Sequence, residues 1–546
     1  MYMKRLSTLV FVFAMVVAAW AVPARRGGMI ITQPDGSQIT VYQHGDENFH
    51  WQTNEKGEWL KLDPDGFYRV TETLSTEQVE ARRIASPKRA GQTAVSLNSA
   101  PRGLVILVNF ADIAFTTEKA EMDSMLTAIN YTRNYSYTYR GKQYDIRSQG
   151  SARQYFYDSS HGQYNPQFDV VGPVTVSKDM SYYGKDDKYG NDMYPDKMVS
   201  EACKLADSEC DVDFSQYDND RDGYVDFVFV IYAGYGEADG GGVNTIWPHA
   251  WQLETAAGGR CLVDGKKVDL YACGNELDFY SKEHTGIGTF CHEFSHVLGL
   301  PDLYTTNGEG HKTSGEWSIM ANGPYNNDGN TPPALSAYER FMLGWLQPRL
   351  IVEPENITLE ELNSTNTALM ITECDSSNLI GNDPNPTTFY LLENRQQLGW
   401  DEYLPGHGLM LTKVLYVYRK WSENTVNNAS TAMGVDLIEA DGKAPSANQT
   451  GYYGKEGDLF PAGATKYTKI ADHAIEKITE VDGVIRFKYR GGVEEPETAV
   501  DNIAFGSEVI AIYNILGQKQ ATTDINELSR GTYIIMTHEG SKKIVR

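Results

Sequence analysis

The sequence has few cysteines, a shortage of basic residues and, after residue 21, no long apolar run. Six cysteines in 546 residues are too few for a disulfide scaffold. Lys and Arg number 48 against 73 Asp and Glu, which gives a formal net charge of −25. Nucleic acid is therefore not expected as a partner, because affinity for phosphates depends on basic side chains. The length predicts several domains, and no transmembrane anchor is predicted in the mature chain.

Residues 1–21 have the pattern of a secretory signal peptide. Lys4 and Arg5 precede an apolar run from Leu6 to Ala19, and Ala19-Trp20-Ala21 supplies the small residues of a cleavage site. A membrane anchor is the competing interpretation, but the run is short for a membrane span. We therefore expect export, with the mature precursor beginning near residue 22.

The exported compartment would permit disulfide bridges. Cys203 with Cys210, and Cys261 with Cys273, are near enough in sequence to pair. Cys291 lies beside a histidine, but neighbouring helical residues point about 100° apart. We interpret Cys291 as a small buried side chain rather than a metal ligand.

The patterning changes several times along the chain. Residues 22–100 form a β-rich module followed by a basic linker that contains Gly and Ser. Residues 101–349 contain two apolar runs typical of central strands, with a helical pattern between them, which predicts an α/β domain. Short strand patterns fill residues 350–490. Residues 491–546 begin with an acidic, Pro-containing linker and end in strand-like sequence.

The motif His292-Glu293-Phe294-Ser295-His296 carries the chemistry. Two histidines at i and i+4 share one helical face, so both imidazoles can reach a single zinc ion. Glu293 then lies beside the ion, where it can accept a proton from the attacking water and pass it to a leaving amine. The motif predicts zinc-dependent hydrolysis of peptide bonds in protein or peptide substrates by direct attack of water, without a covalent intermediate.

The residues after the helix suggest a third ligand. Gly299 can end the helix in a left-handed conformation and Pro301 prevents its continuation, so the chain can return Asp302 to the metal. This spacing resembles the elongated metzincin motif, with Asp302 replacing the third His, and Met320 resembles the methionine of the metzincin Met-turn. The resemblance implies a twisted sheet with an active-site helix.

Glu316 is the alternative third ligand. It lies twenty residues after His296, a separation that also resembles the thermolysin-like arrangement of two His and one Glu. That arrangement needs a second helix, and the Gly, Ser and Asn around Glu316 do not favour one. Asp302 is preferred, and both alternatives share the same reaction and the same base.

A second motif, around Gly223, resembles an EF-hand-like calcium loop. Carboxylates at alternate positions surround a glycine that permits a sharp turn, although Phe229 occupies the position of the usual bidentate Glu. The alternative is an acidic surface turn. The candidate ligands of a structural Ca²⁺ are Asp218, Asp220, Asp222, Tyr224 and Asp226.

Two further residues are not expected to belong to the site. His249 is interpreted as a structural histidine rather than a metal ligand. Tyr325 could donate to an oxyanion, but packing within a loop rich in Gly and Asn is the favoured interpretation.

Several segments together resemble the immune inhibitor A-type metallopeptidases of bacteria. Besides the zinc helix, the likeness includes Gly150–Phe156, Leu335–Trp345, Glu393–Gln396 and Gly457–Pro461, and it runs from about residue 100 to about 490. The resemblance implies a catalytic domain over 101–349, a β-rich extension of the peptidase region over 350–490, and a pro-segment within 22–100. This chain has Leu303 directly after Asp302, where many members of the family carry further acidic residues.

The last fifty residues resemble the sorting domains read by the type IX secretion machinery. The similarity lies in Tyr513–Gln518, Leu528–Tyr533 and the basic end of the chain. It implies a small β-sandwich domain over 491–546, export through the periplasm and outer membrane, and release or anchoring at the cell surface.

Taken together, the sequence predicts a secreted zinc endopeptidase made as a latent precursor, or zymogen. Blockage of the cleft by bulk and direct ligation of the metal are both open as causes of latency. The alternative function is a cell-surface binding or adhesion protein that retains a peptidase fold. The substrate and the peptide bonds cut are not predicted, because they depend on loops around the metal.

Overall fold

The computed structural model describes residues 22–25, 27–46, 49–74, 100–187, 190–255, 259–307, 311–443, 454–494, 509–537 and 540–545. The predicted signal peptide and most of the predicted linker lie outside the described residues. Across these ranges, no helix has both the length and the apolar character needed to cross a membrane.

The N-terminal region is a five-stranded sheet whose strands follow one another in chain order. All its neighbouring strands are antiparallel. Pro-Asp-Gly turns at Gly36 and Gly66, each with φ 83°, join strands as the sequence pattern predicts. The strands are β1 (Gly28–Thr32), β2 (Gln38–Asp46), β3 (Phe49–Thr53), β4 (Trp59–Leu62) and β5 (Tyr68–Val70).

The following α/β region is built around a five-stranded sheet of order β12-β15-β11-β6-β9. Its strands and those of two small sheets are β6 (Arg102–Asn109), β7 (Asn134–Tyr139), β8 (Lys142–Arg147), β9 (Gln167–Thr175), β10 (Tyr224–Val225), β11 (Val228–Tyr235), β12 (His249–Gln252), β13 (Cys261–Val263), β14 (Lys266–Val268) and β15 (Leu270–Leu277). Its helices are α1 (Lys119–Thr127), α2 (Ala152–Ser159), α3 (Met180–Gly184), α4 (Pro195–Cys210), α5 (Gly288–Val297) and α6 (Ala337–Met342).

Alternation along the central strands creates two apolar cores, one on each face of the sheet. Strands β6, β9, β11 and β15 run parallel, and β12 is an antiparallel edge. Val105 and Phe229 face the core that contains α5, whereas Leu104 and Val230 face the core that contains α4. Parallel strands buried on both faces account for the apolar runs seen in the sequence. The predicted α/β arrangement is confirmed.

Among the described residues after 348, the regular structure is mainly β-strand. Two sheets, ordered β16-β18-β19-β20-β21 and β17-β23-β22, are followed by a three-stranded sheet, β24-β25-β26. The strands are β16 (Arg349–Leu350), β17 (Glu355–Leu359), β18 (Leu369–Ile371), β19 (Thr388–Arg395), β20 (Gly408–Leu415), β21 (Val435–Leu437), β22 (Ile475–Val481), β23 (Val484–Tyr489), β24 (Val509–Asn514), β25 (Thr532–Thr537) and β26 (Gly540–Val545), with short helices α7 (Leu362–Thr365) and α8 (Tyr418–Ser422).

The C-terminal segment differs in detail from the expected small β-sandwich. Among residues 509–537 and 540–545, the strands form one antiparallel sheet. Ile512, Tyr533 and Ile535 are buried together on this sheet. The described part of the segment is therefore β-structure with its own small apolar cluster.

The cysteines do not pair as their sequence proximity suggested. All six are free thiols. Cys203 on α4 instead lies against Cys261 on β13, and the contact with Cys261, together with burial, raises the pKa of the Cys203 thiol. Both belong to the core on that face of the sheet, whereas Cys210 is only half-buried at the end of α4. Helix-to-sheet packing, which brings distant residues together, decides the neighbours.

Candidate metal and catalytic site

Helix α5 positions the two histidines of the motif. It packs through Phe290 and Phe294 onto the aromatic core against the sheet, where their rings contact Phe168 at 5.0 and 5.2 Å between centroids. The helix ends at Val297, and Gly299 follows with φ 102°. That left-handed conformation reverses the chain as the sequence predicts.

Three side-chain atoms converge beside the end of this helix. His292 Nε2 and His296 Nε2 are 3.0 Å apart, and Asp302 Oδ1 lies 3.3 and 3.2 Å from them respectively. All three side chains are buried, with at most 1% of each exposed. The structure thus brings Asp302, and both histidines of the motif, to one point.

Hydrogen bonds fix which ring nitrogens face that point. His292 Nδ1 lies 2.7 Å from the carbonyl of Ile319, and His296 Nδ1 lies 2.8 Å from the carbonyl of Leu300. A ring nitrogen facing a carbonyl is the protonated one, so each neutral ring directs an Nε2 lone pair inward. Two lone pairs and a carboxylate oxygen in mutual contact are stabilised by a cation, and this donor set suits zinc.

Burial and mutual contact shift the pKa values of His296 and Asp302. Burial lowers the pKa of His296 and so disfavours its protonated form. Burial alone would raise the pKa of Asp302, but the imidazoles of His296 and His292 hold it at about 2. Asp302 is therefore ionised under all ordinary conditions.

The turn at Met320 supports both halves of the cluster. The Ile319 carbonyl orients His292, while the Met320 carbonyl accepts a hydrogen bond from Leu303 N at 2.7 Å, directly after Asp302. Ser318 Oγ in turn accepts from Met320 N at 3.0 Å. Met320 is fully buried. The turn expected from the sequence thus connects the chain segments that carry His292 and Asp302.

Asn424, which the sequence analysis missed, holds Asp302 from the β-rich region. Its Oδ1 accepts the Asp302 backbone N–H at 2.8 Å, and its Nδ2 donates to Asp302 Oδ2. Asn424 follows α8 and lies 122 residues from Asp302 in sequence. A single Asn so far away in sequence forms no motif with Asp302, so the sequence could not predict this contact.

Glu316, the alternative third ligand, does not belong to the cluster of His292, His296 and Asp302. It belongs to a 3₁₀ turn, Gly315–Trp317, and is half-buried there. Among the described residues, the group of potential ligands around His292 and His296 contains Asp302 and not Glu316. Glu316 is not in an α-helix, as the low helix propensity of the Gly, Ser and Asn around it predicts.

Glu293 follows His292 on α5. It is fully buried, and its Oε1 accepts the backbone N–H of Val22 at 2.8 Å. His249 and Tyr325, which the sequence did not predict as site residues, both have hydrogen-bond partners. His249 contacts the Trp247 carbonyl at 2.6 Å and the Tyr271 hydroxyl at 3.0 Å, a structural role. Tyr325 donates to the carbonyl of Pro23 at 2.7 Å, so its hydroxyl has a backbone partner in addition to its packing contacts.

The acidic loop brings together three of its five candidate ligands. Asp218, Asp220 and Asp222 offer oxygens that all lie within 4.8 Å of one another. Lys266 Nζ is 2.6 Å from Asp218 Oδ2. Asp226 turns away to accept from Asn219, and burial raises its pKa. Tyr224 donates its backbone N–H to Asp222 at 2.8 Å.

Comparisons with known proteins agree with the chemistry of the His–His–Asp cluster. Residues 93–350 match the family model described as Immune inhibitor A peptidase M6, catalytic domain. Immune inhibitor A of Bacillus thuringiensis subsp. alesti is 29% identical over 263 residues, covering 43% of this chain and 38% of that protein. Pre-pro-metalloprotease PrtV of Vibrio cholerae serotype O1 (strain M66-2) is 29% identical over 242 residues, covering 39% of this chain and 26% of that protein.

These matches bear on part of each molecule. The alignments span well under half of either relative, 38% of the first and 26% of the second. The matched part of this chain contains helix α5, Asp302 and the turn at Met320. The match to the catalytic-domain model over residues 93–350 and the similarity to these relatives support a metallopeptidase of the immune inhibitor A type.

Proposed function

We propose that this protein is a zinc-dependent endopeptidase, exported and made as a latent precursor. The observation that carries the proposal is the convergence of His292 Nε2, His296 Nε2 and Asp302 Oδ1 within 3.3 Å of one another. The peptidase family match over the same part of the chain supports it. Protein or peptide chains are the proposed substrates.

His292, His296 and Asp302 would hold the ion. Zinc bound there would polarise the carbonyl of the scissile bond and acidify a water. The protein orients the ligands through hydrogen bonds. The Ile319 and Leu300 carbonyls keep both imidazoles in one tautomer, and this prevents either ring from turning its N–H toward the site.

Glu293 is the proposed proton carrier. Its carboxylate accepts a proton from the attacking water and delivers it to the leaving amine, so the carboxylate must lie within hydrogen-bond reach of that nitrogen. Its observed contact with a backbone nitrogen, Val22 N at 2.8 Å, is the kind of contact this role requires. Burial of Glu293 keeps bulk water from competing for the proton.

The remaining parts of the chain have proposed roles in export and support. Residues 1–21 would be the signal peptide, 22–100 the pro-segment and linker, 101–349 the catalytic domain, 350–490 its β-rich extension and 491–546 the sorting domain. The metzincin-like character of the catalytic domain and the type IX export route belong to this proposal. Asn424 gives the extension a direct contact with the metal site.

A structural calcium ion at Asp218, Asp220 and Asp222 is a separate part of the proposal. It rests on the spacing of these carboxylates and on their proximity. Lys266 already supplies one positive charge to Asp218, so calcium would have to displace it.

The experiment is hydrolysis of casein by the processed protein, with and without a zinc chelator, followed by re-addition of zinc. We expect chelation to abolish cleavage and zinc to restore it. Correctly processed, folded protein that cleaves no peptide bond under any metal condition would overturn the peptidase proposal and favour a surface binding protein.

A further inference from the structure

Two segments of the α/β region bring three carboxylates together where the N-terminal sheet packs on it. Glu237 begins a 3₁₀ turn, Glu237–Asp239, after β11, and it is fully buried. Asp186 and Asp192 face each other across an isolated antiparallel bridge that closes a short loop. Residues opposed in this way direct their side chains to the same side. The charge of Asp192 acts on both Asp186 and Glu237. We call Asp186, Asp192 and Glu237 the carboxylate trio.

Four oxygen atoms of the carboxylate trio accept no hydrogen bond. Among the described residues, both oxygens of Glu237 and the Oδ1 atoms of Asp186 and Asp192 are buried without a hydrogen-bond partner. Asp192 Oδ2 accepts the backbone N–H of Trp247 at 2.9 Å. No described Lys or Arg forms an ion pair with the trio, and the basic side chain in contact with it is His50. Buried carboxylates in this condition need a cation.

His50 of β3 occupies the position that a cation would take. Its Nε2 lies 3.1 Å from Glu237 Oε1 and 3.5 Å from Asp186 Oδ2, without the alignment of a hydrogen bond. The ligand atoms of these three residues all lie within 4.8 Å of one another. His50 Nδ1 lies 3.3 Å from the Asp46 carbonyl, and the His50 ring stacks on Trp247. The group that fills the site therefore comes from the N-terminal sheet, whereas the carboxylates belong to the α/β region.

One imidazole is a poor match for three carboxylates. Even when protonated, His50 supplies a single positive charge, and the remaining carboxylates repel each other. A divalent cation supplies twice that charge and binds several oxygens at once. Calcium accepts about six to eight oxygen ligands in a flexible geometry, whereas magnesium requires an octahedron and gives up its water reluctantly. Buried carboxylates drawn from two separate segments therefore suit calcium better than magnesium.

We propose that the carboxylate trio is a calcium site whose position His50 occupies in the precursor. When the N-terminal sheet is removed, the trio loses His50 and binds Ca²⁺ in its place. The site is separate from the acidic loop at Asp218 and does not depend on the proposed peptidase function. Calcium and His50 compete for the same oxygens, so calcium binding and docking of the N-terminal sheet oppose each other.

Terbium luminescence tests the site in the full chain. Tb³⁺ replaces Ca²⁺ at oxygen sites and emits when a neighbouring indole is excited, and Trp247 contacts both Asp192 and His50. His50→Ala removes the competitor. This variant should therefore show tryptophan-sensitised emission that calcium suppresses, and it should bind Ca²⁺ about ten-fold or more tightly than the unaltered chain does at this site. His44→Ala is the matched control, since His44 bonds to Thr53 within the same sheet.

Substitutions in the trio locate the ion. In the His50→Ala background, Asp192→Asn and Glu237→Gln should each lower calcium affinity about ten-fold or more, because a neutral amide replaces a charged ligand. Asp222→Asn should leave this affinity unchanged, since Asp222 belongs to the separate acidic loop. A folded His50→Ala protein that binds no more calcium than the unaltered chain would overturn the proposal. Calcium binding that survives both trio substitutions would overturn it as well, and equal affinity for magnesium would overturn the assignment to calcium.

A second test keeps His50 in place and so does not require the His50→Ala variant to fold. Calcium should compete with His50 and speed removal of the N-terminal sheet by an added protease that itself needs no calcium. Every sample carries Glu293→Gln to prevent self-cleavage. We expect calcium to accelerate removal about five-fold relative to magnesium at the same concentration. Asp222→Asn should preserve this difference and Asp192→Asn should abolish it. Equal rates in calcium and magnesium would overturn the exchange between calcium and His50.

Discussion

Asn424 makes two hydrogen bonds to Asp302. Its Oδ1 accepts the Asp302 backbone N–H at 2.8 Å, and its Nδ2 donates to the Asp302 carboxylate. The contact fixes both the position of the chain and the orientation of the carboxylate, and it leaves Oδ1 directed at the histidines. The β-rich region thus contributes to the proposed metal site through Asn424, which lies outside the part of the chain matched by the peptidase family. Partners that orient metal ligands commonly affect metal affinity strongly.

Asn424→Ala should weaken zinc affinity about ten- to one-hundred-fold, because the Asp302 carboxylate loses its orientation. Competition with a zinc-binding dye measures the effect. Asn428→Ala is the control: Asn428 bonds to Thr306 in the same pair of loops and not to Asp302. Equal zinc affinity in the Asn424 variant and the unaltered protein would show that the ligand is oriented without the amide.

Glu293→Gln should abolish proteolysis while leaving zinc bound. The amide cannot accept the proton of the attacking water, so we expect a loss of about one-hundred-fold or more in kcat. The ligand atoms are untouched, so zinc content measured by mass spectrometry should match that of the unaltered protein. A metal-free variant would assign Glu293 a role in binding zinc instead.

Asp302→Asn should reduce zinc retention far more than Glu316→Gln. Asp302 contributes a charged oxygen within 3.3 Å of both imidazoles, whereas Glu316 lies in a separate 3₁₀ turn. Dialysis against a weak chelator, followed by metal analysis, ranks the two variants. The opposite ranking would transfer the third-ligand assignment to Glu316.

The sequence predicted those parts of the site that depend on local geometry. The i and i+4 spacing of His292 and His296 follows from the helical repeat, and the reversal at Gly299 follows from its freedom at positive φ. The central strands were recognisable because strands buried on both faces are continuously apolar. In each case the signal and its consequence lie within about ten residues.

Contacts between distant segments were beyond the same reasoning. Asn424 reaches Asp302, and Val22 reaches Glu293, only because the sheets and helices pack in one particular way. The cysteine expectation failed for the same reason, since Cys203 meets Cys261 across a helix–sheet contact. Sequence proximity is a poor guide where tertiary packing decides.

Docking of the N-terminal sheet should weaken as pH rises. His50 on β3 lies 3.1 Å from Glu237 and 3.5 Å from Asp186, and its ring stacks on Trp247. Burial lowers the pKa of His50, but these two carboxylates outweigh it and raise the pKa well above 6.5. Asp192 also faces this group, and burial raises its pKa.

All these shifts have the same sign. A histidine with a raised folded pKa stabilises docking fully below about 6.5, and the contribution is lost as pH rises through the folded value. Burial raises the pKa of Glu237 to about 7, so this carboxyl also favours the docked state at lower pH. We expect limited proteolysis of the precursor to accelerate from about pH 6 to about pH 8.

His50→Gln should flatten this pH dependence and make the precursor easier to cut at about pH 6. His44→Gln is the control, because His44 bonds to Thr53 and stacks on Trp51 within the N-terminal sheet. Identical pH profiles for the His50 variant and the unaltered precursor would show that His50 does not set the docking strength.

Lys266 offers a way to test calcium at the acidic loop. Its ammonium lies 2.6 Å from Asp218 Oδ2, where a bound calcium ion would compete with it. Lys266→Ala removes that competitor and leaves clustered carboxylates that repel each other without a cation. We therefore expect the variant to bind calcium more tightly than the unaltered protein, and to melt at a lower temperature when calcium is absent.

Lys267→Ala is the control, since Lys267 contacts the Tyr224 hydroxyl instead. Calorimetric titration and thermal melting measure both effects. If calcium does not change the melting temperature of the unaltered protein or of either variant, the loop is a surface turn stabilised by Lys266.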